Sequence, residues 1–129
     1  MRYMPVLSNE SDRLAAVAEY ELVPDDQALE LDAILQLAAA LFSVPTALVS
    51  IVERDRQLFT ARRGLDVCET GRDIAFCAHA LGLDDVMVVL DAKLDPRFVA
   101  NPLVVGKPFI RFYAGMPLVA PNGHALGTL

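Results

Sequence analysis

The chain has 129 residues, 54% of them hydrophobic and 22% charged, with 7 glycines and 8 prolines, a composition that builds a globular core and excludes disordered, collagen-like and low-complexity chains. Lys and Arg number 11 against 17 Asp and Glu, a net charge of −6, so a phosphate backbone or an anionic bilayer is repelled at long range and nucleic acid is not an expected partner. Two cysteines, Cys68 and Cys77, cannot make a disulfide framework, and the opening MRYMPVLSNESDR lacks the apolar stretch of a secretory signal, which points to the cytoplasm.

Ser8 or Asn9 caps a first helix running to about residue 20, with Leu14, Val17, Ala18 and Leu22 at helical spacing. Pro24-Asp25-Asp26 opens a second helix with acids at the positive end of its dipole, and Leu31, Ile34, Leu35, Ala38, Leu41 and Phe42 recur with the 3.6 period. Residues 33–52 carry no charge, about the length of a membrane span. Gln36, Ser43, Pro45, Thr46 and Ser50 interrupt the run and Asp32 and Glu53 flank it, so it reads instead as a helix end followed by a strand, and no membrane insertion is expected. Pro45 ends the helix, and residues 46–52 turn to β-branched residues with Ala47, Val49 and Ile51 on one face and Leu48 and Val52 on the other. A strand apolar on both faces belongs inside a sheet covered on both sides.

The charged turn Arg54-Asp55-Arg56 leads back into a second strand at 57–62. Residues 73–81 have an apolar helical pattern that Gly82 stops, and 86–90 make a third strand. Asp95-Pro96 reads as a cap with proline at the first helical position, opening one short turn through Phe98 and Val99. A long fourth strand spans 109–119, and Pro121-Asn122-Gly123 turns the chain into a fifth at 124–129. This order fits an α+β domain with a mainly antiparallel sheet. The stop at Gly127-Thr128-Leu129, part way along an apolar strand, reads as a cut through a longer protein, with 1–129 forming one domain.

Six segments together resemble a GAF domain of the kind found at the sensory end of bacterial histidine kinases, diguanylate cyclases and cyclic di-GMP phosphodiesterases. They are FSVPTALVS at 42–50, FCAHA at 76–80, DAKLDPRF at 91–98, NPLV at 101–104, RFYAGMPL at 111–118 and GTL at 127–129. The resemblance implies a GAF-like, PAS-related fold: a central antiparallel sheet of five or six strands with helices on both faces. It also implies a helical layer that often pairs two subunits, and a small-molecule pocket roofed by the middle helices and loops. In similar proteins the chain continues past Gly-Thr-Leu into a closing helix and an output domain.

Alternation along the fourth strand places Arg111, Tyr113 and Gly115 on one face and Ile110, Phe112, Ala114 and Met116 on the other. An arginine fork holds a carboxylate or phosphate, a phenol orients it, and glycine leaves room for close approach. The alternative is an Arg111 bridge to Asp91 or Asp95 with Tyr113 in the core. Arg97 and Phe98 either close over a ligand or serve as a surface arginine and a core ring. Cys77 and His79, two apart on a helix, cannot share an ion or a proton, whereas Phe76 and His79, three apart, share a face that lines the pocket or buries a bonded histidine. His124 reads as a solvated loop residue.

No zinc spacing, glycine-rich phosphate loop or Gly-x-Ser-x-Gly elbow occurs. Free methionine sulfoxide reductases resemble GAF domains with reactive cysteines; Cys68 and Cys77 supply two thiols, one short of that group's set. Neither a bilin Cys-His pair nor the residue set of the cyclic-GMP group is present, and a haem would need His79 as ligand, so no cofactor is named. The expectation is a non-enzymatic sensory module with a ligand at Arg111, Tyr113, Phe76, His79, Asp91, Arg97 and Phe98. The competing expectation is a pure dimerisation element in which residues 1–22 bury Leu14, Val17 and Leu22 against a twin.

Overall fold

The computed structural model describes residues 9–19 and 25–129. Its helices are Glu10–Glu19 (α1), Asp25–Phe42 (α2), Phe76–Ala80 (α3) and Pro102–Val105 (α4). Its strands are Ala47–Val52 (β1), Arg56–Arg63 (β2), Glu69–Gly71 (β3), Met87–Val89 (β4), Tyr113–Gly115 (β5), Pro117–Val119 (β6) and Ala125–Thr128 (β7). Five strands form an antiparallel sheet in the order β3-β2-β1-β7-β6, and β4 and β5 pair as a separate antiparallel ribbon. The architecture is α+β with helices on both faces of the sheet, as its residue pattern requires.

The two apolar faces of β1 have separate uses. Ile51 packs with Ala16 and Val17 of α1, Ala120 and Leu126. Val52 packs the opposite way, with Ala75, Cys77, Ala78 and Leu81 around α3. The charged turn makes the expected hairpin, closed by the Glu53 N–H donating to the Arg56 carbonyl at 2.8 Å. Beside β1, β7 comes so close that a Cβ on Gly127 would lie 1.7 Å from the Ser50 carbonyl oxygen. Only glycine fits this crossing.

Several expected elements change shape. The helix expected at 73–81 divides into a 3₁₀ turn, Arg72–Ile74, and α3, because Ala75 between them is extended. The strand expected at 109–119 survives only as β5 and β6. Phe109 takes a φ of 57°, and the next residues turn to α4, with the Ile110 N–H donating to the Leu103 carbonyl at 2.8 Å. At Met116 the chain changes partners, from β4 to β7. The expected third strand shortens to 87–89. The three-residue β3 and the four-residue α4 carry too little periodicity to be read as elements, although Asn101-Pro102 is a cap with proline after it: Asn101 Oδ1 accepts from the Leu103 N–H at 2.8 Å.

Helix α2 forms where expected, but most of its expected apolar face is not covered: of Ile34, Leu35, Leu41 and Phe42 only Leu35 is buried. Leu35 is fully buried, while Leu37, Leu41 and Phe42 are 60%, 69% and 74% exposed. The dimer seam expected on the first helix is altered. Val17 is consumed by packing on the sheet, and Leu22, with residues 1–8, lies outside the described residues.

Candidate functional site

Three segments distant in sequence bring aromatic side chains together on the α3 side. Phe76 stacks on Phe98 with centroids 4.1 Å apart and planes 6° from parallel. Tyr113 tilts against Phe76 at 5.3 Å. His79 meets the Phe98 ring edge-on at 4.8 Å, so Phe76 and His79 share a helical face as their spacing requires. Around this cluster Ala80, Met87, Val89, Ala92 and Val104 are all buried.

Phe98 reaches the core because the chain turns at Asp95-Pro96. Asp95 Oδ1 accepts from the Arg97 N–H at 2.9 Å, and the Asp95 carbonyl accepts from the Phe98 and Val99 N–H groups. The expected cap is therefore made. The same carboxylate takes the Arg97 fork at 2.7 and 3.0 Å, which holds Asp95 below the usual carboxylate range. Thus anchored, the Arg97 guanidinium lies 5.1 Å from the Phe98 centroid, within cation–π distance. Burial, and then the Arg97 charge, lower the His79 pKa against the opposing pull of Asp95. The imidazole is neutral at pH 7 and offers one donor and one acceptor.

Tyr113 points inward as expected, and its hydroxyl is engaged. It donates to Cys77 Sγ at 3.3 Å and lies 3.5 Å from Thr128 Oγ1, which is 3.1 Å from Ser50 Oγ. Burial, reinforced by the neighbouring Cys77 thiol, pushes the phenol well above its usual range and keeps it protonated. Gly115 makes this possible, since a Cβ there would lie 2.1 Å from Tyr113 Oη. The room that alternation assigned to a ligand is taken by the tyrosine itself. Cys77 is buried and Cys68 exposed, and both are free thiols.

Arg111 and Asp91 do not join the cluster. With residues 109–112 outside any strand, the exposed Arg111 guanidinium donates to the Val104 and Ile110 carbonyls, both at 3.0 Å. Asp91 Oδ1 instead accepts from the Lys93 N–H at 3.0 Å. The two segments touch through backbone alone, the Ala92 N–H donating to the Arg111 carbonyl at 2.6 Å. His124, expected in a loop, lies 3.4 Å through Nδ1 from Asn9 Nδ2.

Two features escaped the sequence. A cleft of about 510 Å³ opens between Asn9 at the start of α1, residues 81–84 beyond α3, and β6 with its turn into β7; none of the seven expected ligand residues lines it. On the α1 side, Arg13 and Arg72 are 0% and 1% exposed and share the Glu10 carboxylate. Burial pushes the Glu10 carboxyl up, but hydrogen bonds and charge from Arg13 and Arg72 outweigh it and bring its pKa down to about 2. Charged residues are read as exposed by default, and only the spacing of three between Glu10 and Arg13 hinted at a pair.

Among the described residues no three His, Cys, Asp or Glu side chains are grouped to hold a metal ion, and no helix is long and apolar enough to cross a membrane. An antiparallel sheet with α1 on one face and, on the other, α3 carrying part of an aromatic cluster defines an α+β class of domain. The family profile described as GAF domain matches residues 28–129, and the chain belongs to this family. It is 43% identical over 125 residues to a cyclic di-GMP phosphodiesterase of Pseudomonas aeruginosa, an alignment covering 97% of this chain and 21% of that protein. The chain thus spans about a fifth of that relative's length.

Proposed function

We propose that this domain is a non-enzymatic sensor that holds one small molecule beside α3 and passes its occupancy through the helices to an output elsewhere in a longer cytoplasmic signalling protein. The observation that carries the reading is the convergence of Phe76, His79, Phe98 and Tyr113 from three separate segments, with Arg97 on the same ring. The packed rings give an apolar floor beneath a ligand, His79 lies at its margin, and the half-exposed Arg97 attracts anionic groups. Arg111 and Asp91 lie on the adjoining loops and complete the site when Arg111 leaves its carbonyl partners. The likeness to a cyclic di-GMP phosphodiesterase supports an output concerned with cyclic di-GMP turnover. For occupancy to matter, the ligand must bind one helix arrangement more tightly than another.

Native mass spectrometry of the protein purified gently from its own cells tests the binding step. The expected spectrum shows one extra small-molecule mass per chain, reduced in His79→Ala and Arg97→Ala. Unliganded protein throughout, with no thermal shift from any anionic metabolite in a screen, overturns it.

A second reading, self-association, is favoured by the uncovered apolar face of α2, where Ile34, Leu37 and Leu41 recur at spacings of three and four. Mass measured across dilution decides it. A dimer that Leu37→Glu dissociates supports pairing through α2, and a monomer at high micromolar concentration removes it.

A further inference from the structure

Two buried arginines and one partly exposed carboxylate connect the two faces of the sheet. Glu10, in the first turn of α1, accepts two hydrogen bonds from Arg13 at 3.0 Å each and two more from the Arg72 fork, the second of these at 3.3 Å. Further donors bind the main chain: Arg13 Nη1 to the Ala125 carbonyl of β7 at 3.3 Å, and Arg72 Nη1 to the Glu53 and Arg54 carbonyls at 3.1 and 3.4 Å. One carboxylate thereby joins α1, the β1–β2 turn, and the 3₁₀ turn that leads into α3. A bidentate fork fixes direction as well as distance, so it transmits displacement better than a flexible surface pair.

The path from the fork to the aromatic cluster is short. The Ala75 N–H donates to the Arg72 carbonyl at 3.1 Å, and Phe76, whose ring stacks on Phe98, follows at once. Ile74 is held from the other side by Asn101, whose Nδ2 donates to its carbonyl at 3.1 Å while Oδ1 caps α4. The segment 72–76 is therefore gripped at Arg72 by α1 and at its far end by the cluster. An alternative acceptor lies on the residue whose carbonyl Arg72 already uses: Glu53 Oε1 is buried without a hydrogen-bond partner among the described residues.

We propose that the Glu10 carboxylate, shared by Arg72 and Arg13, is the link by which movement of α3 reaches α1. The assignment rests on the sensory reading above, and supplies the route that reading requires. A carboxylate with only one arginine would anchor the helix; one shared between the helix's own arginine and that of the 72–76 segment lets a shift of one guanidinium change the footing of the other.

Hydrogen exchange on the 129-residue chain tests this without any ligand. Phe98→Leu removes the ring stack and loosens α3. In the wild-type background it is expected to raise exchange of α1 amides about tenfold, and in the Glu10→Gln background to leave them unchanged from Glu10→Gln alone. Arg72→Lys, which keeps the charge and loses the fork, should block the effect likewise and serves if Glu10→Gln does not fold. An α1 response to Phe98→Leu of equal size in these backgrounds, or no α1 response in the wild type while α3 loosens, overturns the link. Binding of a small molecule is measured separately by mass, so failure of the link and failure of the sensory reading leave different records.

Discussion

The two faces of the sheet share β1 and β7 but are held by opposite chemistry. On the α3 side the contacts are rings, a thiol and hydroxyls, with neutral His79 at the margin. On the α1 side a small apolar patch around Ala16 and Val17 is accompanied by one carboxylate and two buried guanidinium groups. Apolar packing is tolerant in direction and sensitive to volume, whereas buried ion pairs are sensitive to geometry and protonation. A domain built this way can have one face re-shaped by an inserted group while the other face registers the change through a directional bond.

The sharpest way to break the α3 side is to remove volume. Phe98→Ala deletes a fully buried ring that touches Phe76 and His79, and is expected to cost about 3–5 kcal/mol in urea unfolding at pH 7. A loss below about 1 kcal/mol would mean that the cluster collapses easily around the gap and contributes little rigidity. Glu10→Gln should come next, at about 2–3 kcal/mol, because two buried guanidinium groups lose their shared counter-charge while the carboxylate itself is partly open to water. An unchanged unfolding midpoint would show that the α1 side is held by Ala16 and Val17 alone.

Gly115→Ala tests the neutral polar contact of the α3 side. The added methyl overlaps Tyr113 Oη and should drive the phenol off Cys77, at about 1–2 kcal/mol. The Cys77 thiol, uncovered by the displaced phenol, should react faster with a thiol reagent in the folded protein, with Cys68→Ser present to silence the exposed cysteine. Unaltered reactivity at an unaltered midpoint would mean that the tyrosine is not what shields the sulfur.

What the sequence revealed and what it hid divide along the same line. The double-faced strand β1, the hairpin turn, and the helical spacing of Phe76 and His79 are local patterns, and all three are present in the fold. The Asp95-Pro96 cap is equally local and is made, while Phe98, weighed as a ligand contact or a core ring, is fully buried. Arg111 was placed by the alternation of a strand expected over 109–119, and the placement fails because Ile110 and Arg111 bond to α4 instead of a strand. Whether an apolar alternating segment finds a strand partner is decided by tertiary structure, and β4 is only three residues long. The Glu10, Arg13 and Arg72 cluster was invisible for a related reason: its members are 62 positions apart at the widest pair, and nothing near Arg72 in sequence marks it as buried. Tyr113 was read as facing a ligand or the core, and it enters the core, its hydroxyl donating to a thiol 36 positions away.

The smallest expected effect separates the two faces by pH. Glu10 has a folded pKa of about 2 against an ordinary value of 4.5. Its contribution to stability is complete above the ordinary value and is lost as pH falls from about 4.5 towards 2, because the unfolded chain takes up the proton first. By pH 4 only a small part is gone, and most of the loss follows below it. Asp95, also held low by Arg97, adds a change of the same sign in every variant that keeps it, so the comparison must be made between backgrounds. Urea midpoints at pH 7, 4 and 3 should therefore fall more steeply for the wild type than for Glu10→Gln, with the two curves approaching one another as acid removes what the substitution has already removed. Phe98→Ala should run parallel to the wild type across the same range, since it leaves the Glu10 carboxylate in place. Parallel slopes for wild type and Glu10→Gln would show that the carboxylate titrates no differently folded than unfolded, and with that the α1 side would lose its claim to be the charge-dependent face.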